Sequence, residues 1–265
     1  MTAIDTGTDK MLAHVEDGIG WMTYNNPARL NAMSYDMQIA VPRILGAFAA
    51  DPEVHVIVVR GAGEKAFVSG ADISEFSDKR TTVAARADYD EALARAWGSW
   101  RLIDTPIIAM IRGYCIGGGL LTAMNADIRI AAEGSQFGVP AAKLGLGYAY
   151  GGVEELMSLV GPAWAAEILF SARRLDADEA LRIGLVNAIA DPVLDRALEA
   201  AHDLAAKSSL ALALAKRLCN LTLGVDHSVN LETEADEFGA LFASADAKEG
   251  LTAFVEKRPP KFSGR

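Results

Sequence analysis

Three consecutive glycines, Gly117 to Gly119, separate an apolar run from a segment with the spacing of a helix. Because glycine has no Cβ, it lets backbone N–H groups approach a ligand closely. The first N–H groups of a helix lack intrahelical partners, and the helix dipole favours negative charge beside them. The triplet therefore predicts one of two things, an oxyanion site at a helix start or close packing of the helix on a sheet. The residues of the triplet leave both open.

No acid or base follows the triplet, since the next residues are Leu120, Leu121 and Thr122. Cys115 has no histidine near it in the sequence, and we interpret it as a small buried hydrophobe. The histidines lie in other segments, and we expect surface or packed positions for them: His14, His55, His202 and His227. Side-chain acid–base catalysis therefore has no obvious candidate beside the glycines.

A second glycine-rich stretch has the spacing of a dinucleotide fingerprint, with Gly61, Gly63 and Ala66 after the apolar run HVIVVR. That fingerprint needs a helix that begins at the turn. Here the β-branched and glycine-containing stretch FVSGAD follows instead. The stretch therefore predicts a plain loop and argues against a nucleotide-dependent dehydrogenase.

Length and charge limit the function further. The chain has 265 residues, a net charge of −10 and two cysteines, Cys115 and Cys219. The acidic balance argues against nucleic acid or an anionic membrane as a partner. Two cysteines are too few for a disulfide framework, and we find neither a signal peptide nor an apolar run long enough for a membrane span. We expect a cytoplasmic protein that needs no metal.

The elements that must position these residues alternate between strand and helix patterns. A hairpin around Asp17–Gly18 precedes a helix over residues 34–49, which Pro42 should kink or shorten. Buried strands are predicted at HVIVVRG, PIIAMIRG and DIRIAAE, a helix at 83–101, and loops at 62–80 and 137–152. Helical patterns dominate after Val153, with one strand at LVNAIA and a non-helical basic tail. The fold class is therefore α/β. We divide the chain into a core of residues 1–190 and a helical region of residues 191–265.

Five segments, in this order, resemble the crotonase superfamily, the enoyl-CoA hydratase/isomerase family: NNPARLNAM, KAFVSGADISEF, GYCIGGG, FGVPAAKLGLGYAYGG and FVEKRPPKF. The resemblance covers nearly the whole chain. It implies a spiral of ββα units and a helical C-terminal region that assembles a homotrimer or a hexamer, a dimer of trimers. It also implies an acyl-CoA thioester as substrate, with no separate cofactor.

The resemblance assigns roles to particular residues. The thioester oxygen is expected to accept hydrogen bonds from the N–H groups of Ala71 and Gly118, and Tyr148 is the best catalytic side chain. The implied substrate-binding residues are Ala28, Leu30, Ala32, Ser69, Asp72, Ile73, Gly117, Leu121, Pro140, Ala141, Lys257 and Lys261. Lys257, Arg258 and Lys261 are either a solvated tail or a contact for the CoA phosphates.

Hydratases of this family carry a glutamate at the position of Leu121 and another at the position of Ala141. Leucine and alanine transfer no protons, so ordinary hydration is in doubt. Ala141 also argues against the isomerases that keep their carboxylate there. The family's methylmalonyl-CoA decarboxylases have a similar loop, with a tyrosine that matches Tyr148, although they keep the first glutamate.

Other polar and aromatic residues near these segments have structural interpretations. Lys143 and Tyr150 lie in the loop that lines the acyl pocket in the family. Glu154 and Glu155 are interpreted as the start of a helix, where acidic residues are favoured. The tryptophans are predicted to belong to the core or to the pocket wall: Trp97, Trp100 and Trp164.

Three hypotheses remain for the activity. The first is an enzyme that stabilises a thioester enolate, with decarboxylation favoured because it needs no base. The second is a hydratase or isomerase in which Glu154 or Glu155 is displaced into the pocket. The third is a CoA-thioester binder without catalysis.

Overall fold

Two β-sheets organise this computed structural model, which describes residues 1–75, 83–222 and 231–264. The strands are β1 Thr2–Ile4, β2 Met11–Glu16, β3 Ile19–Tyr24, β4 Val56–Gly61, β5 Ala66–Val68, β6 Ile107–Ile111, β7 Tyr114–Ile116, β8 Ile128–Ala131, β9 Gln136–Gly138 and β10 Ala188–Ile189. The large sheet has the order β1–β2–β3–β4–β6–β8–β10, and the small sheet has the order β5–β7–β9. Strands β1 to β3 pair antiparallel, and the other pairs are parallel.

The helices are α1 Tyr35–Ala50, α2 Val83–Arg101, α3 Gly118–Met124, α4 Tyr150–Ser171, α5 Ala177–Arg182, α6 Val193–Ala205, α7 Ser209–Thr222, α8 Leu231–Ala243 and α9 Ala245–Glu256. Helix α1 packs against α2, and α6 packs on β4, β6 and β8. Strands β3, β4 and β6 are buried along most of their length, as expected for parallel strands covered on both faces. Across the described residues, no helix combines the length and the apolar character that a membrane crossing requires.

The chain repeats a strand–strand–helix unit three times, as β4–β5–α2, β6–β7–α3 and β8–β9–α4. The first strand of each unit joins the large sheet and the second strand joins the small sheet. Each new unit is therefore stacked beside the preceding one, which confirms the predicted spiral of ββα units. The consequence for the site is that the ends of β5, β7 and β9 lie side by side.

Several predicted boundaries are wrong. Residues 62–80 were expected to form a loop, yet Ala66–Val68 is a strand and Ile73–Glu75 is a 3₁₀ turn. Strands β7 and β9 were also missed, because three-residue strands carry almost no periodic signal and depend on pairing with distant segments. Helix α1 passes Pro42 and continues to Ala50, so the proline does not shorten it.

The helical region after β10 is present, as the resemblance implied. Helix α6 lies beyond the predicted domain boundary and still packs on the large sheet. The division at residue 190 and the trimer stay predictions. Residues 76–80 of the predicted loop and His227 lie outside the described residues.

Candidate active site

The three glycines at the start of α3 have three different environments. Gly117 has a φ of 56°, in the left-handed region that favours glycine. A Cβ on Gly119 would collide with the carbonyl oxygen of Val68, so this residue permits close packing of α3 on β5. A Cβ on Gly118 would lie 2.6 Å from Met33 Cε and 3.7 Å from the backbone nitrogen of Ala71. Gly119 therefore permits close packing and Gly118 faces Ala71, while the oxyanion role of Gly118 stays a prediction.

Ala71 is positioned by a single bridge to Met33. The N–H of Met33 donates to the carbonyl oxygen of Gly70 at 2.8 Å, and the N–H of Asp72 donates to the carbonyl oxygen of Met33 at 2.8 Å. Since C=O and N–H point in opposite directions across a trans peptide, the N–H of Ala71 points away from Met33. Among the described residues, neither this N–H nor that of Gly118 has a hydrogen-bond acceptor.

The peptide that carries the Gly118 N–H is also held through its carbonyl. The carbonyl oxygen of Gly117 accepts a hydrogen bond from the N–H of Leu121 at 3.1 Å and from Tyr148 Oη at 3.4 Å. Both peptide units are therefore held by hydrogen bonds to their carbonyl oxygens, and the N–H of each remains available to a ligand. Two fixed donors close to each other form the geometry that stabilises an oxyanion.

Tyr148 is the polar side chain that contacts this peptide. Its ring also fills the space beside Gly152, where an added Cβ would lie 2.7 Å from Tyr148 Cε1. Burial first, and then the negative charge of Glu155, raise the pKa of Tyr148 above its ordinary value. The phenol thus stays protonated at neutral pH, so it can donate a hydrogen bond or a proton but is a poor base.

The two positions that carry glutamates in hydratases have no acid–base function here. Leu121 is buried and packs against the start of α4, with Cδ1 3.3 Å from the Cβ position of Gly152. Ala141 is half-buried in the 3₁₀ turn Pro140–Leu144. Nothing that transfers a proton stands at either position.

Glu154 and Glu155 lie in the second turn of α4, since this helix begins at Tyr150 rather than at the glutamates. Glu154 accepts a hydrogen bond from Tyr150 Oη at 3.5 Å. Glu155 is buried with its carboxylate 3.7 Å from the guanidinium of Arg101. Burial raises the pKa of Glu155, and the positive charges nearby oppose that rise. The contacts of the two carboxylates are thus with Tyr150 and Arg101 rather than with the N–H groups of Ala71 and Gly118.

Two segments implied in substrate binding pack against each other beside Ala71. The N–H of Ser69 donates to the carbonyl oxygen of Leu30 at 3.1 Å. Asp72 forms an ion pair with Arg29 at 3.2 Å, and its pKa is lowered first by the Ser74 hydroxyl and also by Arg29. The structure thus brings Leu30, Ser69 and Asp72 to the same edge of the site.

The remaining implied binding residues vary in exposure. Pro140 lies beside Gly117, with Cδ 3.9 Å from the Cβ position of that glycine. Ala28 and Ile73 are exposed, and Ala32 is half-buried. Their roles stay predictions, because only a bound substrate could test them.

The C-terminal tail is docked on α9 rather than solvated throughout. Arg258 forms a bidentate pair with Glu249, and the N–H of Lys261 donates to Glu249 at 2.8 Å. The N–H of Ser263 donates to Asp246 at 2.7 Å. Lys257 and Lys261 are exposed, and no ion pair to either appears among the described residues. Their contact with CoA phosphates stays a prediction.

The other candidate side chains have structural positions. His14 stacks on Trp21, and burial lowers its pKa. Cys115 is buried, donates to the carbonyl oxygen of Gly119 at 3.5 Å, and has a pKa raised by burial. Within the described chain no cluster of His, Cys, Asp or Glu could hold a metal ion.

A small crevice begins at Met33 and Thr122 and includes residues that the motifs did not single out. Met33 and Thr122 lie beside Gly118, and Thr122 Oγ1 donates to the carbonyl oxygen of Gly118 at 3.0 Å. The crevice continues between Trp97 and Trp100. The tryptophans therefore form its wall, whereas Trp164 lies under the guanidinium of Arg182. Met33 is the last residue of the segment NNPARLNAM, and its position in that motif is the sequence feature that could have identified it.

The family model described as enoyl-CoA hydratase/isomerase matches residues 14–265. A short-chain-enoyl-CoA hydratase from Clostridium acetobutylicum is 35% identical over 94% of this chain and 96% of its own length. A crotonyl-CoA hydratase from Syntrophomonas wolfei is 36% identical over 96% of this chain and 98% of its own length. The structure of an enoyl-CoA hydratase/carnithine racemase from Magnetospirillum magneticum superposes with a TM-score of 0.90 at 35% identity and covers 97% of each chain. With this spiral and these relatives, the chain belongs to the enoyl-CoA hydratase/isomerase family of the crotonase superfamily.

Proposed function

We propose that this protein transforms an acyl-CoA thioester by stabilising its enolate between the N–H groups of Ala71 and Gly118, and that its reaction is decarboxylation rather than hydration. One observation carries the proposal. Two N–H donors, each on a peptide whose carbonyl is held by hydrogen bonds, lie close together, while Leu121 and Ala141 supply no proton transfer. The site stabilises negative charge without providing a base.

The two donors act on the thioester carbonyl. When an enolate forms, its charge collects on the carbonyl oxygen, and donors that are already in place stabilise this charge without reorganising. Each such donor contributes about 2.7–4 kcal/mol to transition-state stabilisation. The hydrogen bonds to the carbonyl of Gly117 hold its peptide in place and polarise it, which makes the N–H of Gly118 a stronger donor.

Decarboxylation needs only this stabilisation and a proton. The bond between Cα and a carboxylate breaks, carbon dioxide leaves, and the electron pair enters the thioester as an enolate. Proton transfer to Cα then completes the product. Tyr148 is the candidate donor, because its raised pKa keeps the phenol protonated.

Hydration is the second candidate, because the most similar relatives named above are called hydratases. It requires a base for the water and an acid for Cα, and positioned groups of this kind typically contribute about 10²–10⁴-fold each. Glu154 and Glu155 are the nearby carboxylates on α4, and they interact with Tyr150 and Arg101 instead. A binder without catalysis is the third candidate, since the donors alone would hold a thioester.

Incubation with methylmalonyl-CoA and with crotonyl-CoA, followed by mass spectrometry, distinguishes the three candidate functions. Loss of carbon dioxide from methylmalonyl-CoA supports the proposal. Addition of water to crotonyl-CoA at the rate of an ordinary hydratase refutes it. Binding of both thioesters with no product identifies a silent binder.

We further propose that the chain assembles as a homotrimer or a dimer of trimers through its C-terminal helices. The supporting observation is that Phe238, Phe242 and Phe254 are exposed on α8 and α9. Large apolar side chains grouped on one surface favour association. Light scattering after size exclusion tests this, and a monomer at micromolar concentration would contradict it.

A further inference from the structure

A cavity of about 330 Å³ lies at the C-terminal end of α3, away from the glycine triplet at the start of that helix. Its walls come from the ends of α2, α3 and α6, from α4, from α7 and from the starts of β6 and β8. Its size is that of a small-molecule pocket. We propose that this cavity, the α3-end cavity, binds a carboxylate that is carried on an apolar body.

Arg129 supplies the first argument. It lines the cavity and is only 5% exposed. Its Nε donates to the carbonyl oxygen of Leu185 at 2.8 Å, and its Nη1 donates to that of Ala126 at 2.6 Å. A guanidinium has five N–H donors. Among the described residues, no acceptor is present for Nη2. A buried guanidinium with open donors favours an anion, because burial without hydrogen bonds is costly for a charge.

The charges around the cavity supply the second argument. Among the described residues, three cations line it, Arg101, Arg129 and Lys216, against two carboxylates. Lys216 pairs with Asp127 at 2.9 Å, so these two charges are neutralised locally. Glu155 lies 3.7 Å from Arg101 and also acts electrostatically on Arg129. The described lining side chains thus include more cations than carboxylates, which favours an anionic ligand over a cationic one.

The rest of the lining determines the body of the ligand. It is mostly apolar and comes from several elements: Trp100, Pro106, Met124, Leu159, Leu204 and Leu212. Such walls favour a ligand whose remaining surface is aliphatic or aromatic. An inorganic anion would leave these walls without contact.

Two sources of this carboxylate are possible. The first is a free organic acid. The second is the far end of an acyl group whose thioester lies at Gly118. Trp100 and Asn125 line both the α3-end cavity and the crevice beside Met33 and Thr122. Helix α3 has seven residues, so its ends are about 10 Å apart. The second source rests on the proposed function, whereas the first does not.

Calorimetry with hexanoate and its neutral counterpart hexan-1-ol tests the site. We expect hexanoate to bind the wild type at least about tenfold more tightly than the alcohol, as a charge-assisted hydrogen bond provides. Arg129→Met should remove this preference, and Leu212→Trp should fill the cavity and abolish binding. Arg196→Met, at an exposed arginine on α6, is the matched control and should bind like the wild type.

Glu155→Gln gives a prediction that a purely structural role does not make. Removing the competing carboxylate should tighten hexanoate binding several-fold. If Arg129→Met does not fold, Glu155→Gln and Leu212→Trp still test the proposed carboxylate site. Equal binding of acid and alcohol by the wild type overturns the proposal, and so does weaker hexanoate binding by Glu155→Gln.

Octanoyl-CoA and its ω-carboxylated counterpart suberyl-CoA distinguish the sources. If the carboxylate belongs to the acyl group, suberyl-CoA binds more tightly and hexanoate competes with it. If it belongs to a free acid, the two thioesters bind alike and hexanoate displaces neither. Failure of both thioesters to bind refutes the proposed function, while the hexanoate result still stands on its own.

Discussion

Replacing Gly118 by valine tests whether the glycine triplet is an oxyanion site. The backbone φ at Gly118 is not in the positive range, so a side chain is tolerated there. The new Cβ would lie 2.6 Å from Met33 Cε, the flexible end of a side chain, and 3.7 Å from the nitrogen of Ala71. Its methyl groups would therefore crowd the space that an oxygen must enter to approach both nitrogens to about 2.9 Å.

The magnitudes separate function from stability. Loss of one oxyanion donor costs about 10²–10³-fold in kcat, and valine obstructs the approach to both. Displacing Met33 costs about 1–3 kcal/mol of folding free energy, partly offset by the better helix propensity of valine over glycine. The melting temperature should fall by several degrees, at about 2–4 °C per kcal/mol.

The assay combines thioester binding or turnover with thermal unfolding. Gly118→Val should lose at least about 10²-fold in activity or affinity while staying folded. Gly119→Ala is the contrasting variant, because its Cβ would meet the backbone of Val68 and should destabilise the fold itself. If Gly118→Val binds and turns over the thioester within tenfold of the wild type, the triplet only packs and the site has no oxyanion hole.

Three further predictions concern the surroundings of the donors. Tyr148→Phe should slow turnover without changing the overall fold, because the Gly117 peptide loses one of its two hydrogen bonds; unchanged kcat would contradict this. Hydration of crotonyl-CoA should be slower than in ordinary hydratases by several orders of magnitude, since two groups worth about 10²–10⁴-fold each are missing, and a direct rate comparison checks it. Burial alone would raise the pKa of Asp246, but hydrogen bonds from Ser263, Ser208 and Gly264 hold the pKa below the ordinary value of an aspartate. The resulting stabilisation is complete above that ordinary pKa and is lost as the pH falls through the lowered pKa of the folded state, so the unfolding of Asp246→Asn should depend less on pH in this acidic range.

The sequence predicted the elements with strong periodic or apolar patterns. HVIVVRG and PIIAMIRG are continuous apolar runs, and both are buried strands of the large sheet. The small sheet could not be predicted in this way. Its strands have three residues each, and each exists because the spiral places it beside another strand some 20 to 50 residues away.

The same distinction applies to the site. The motifs pointed to Ala71 and Gly118, and the structure places these two residues beside each other. The separate environments of Gly117, Gly118 and Gly119 depend on Pro140, Met33 and Val68, which approach from other units of the spiral. Nor could the sequence show that Arg129, within an ordinary strand pattern, is buried against a cavity.

The placement of the donors explains why the proposed change of reaction is compatible with an acyl-CoA substrate. Both N–H groups belong to the main chain, and their orientation depends on carbonyl contacts with Met33, Leu121 and Tyr148. Leucine at 121 preserves its part of this framework, because its backbone N–H rather than its side chain holds the Gly117 carbonyl. Exchange of a glutamate for leucine there removes proton transfer and leaves the oxyanion geometry intact. Under the proposed function, the absence of both carboxylates disfavours hydration without excluding thioester binding, and enolate formation that needs no base is the chemistry that this geometry still supports.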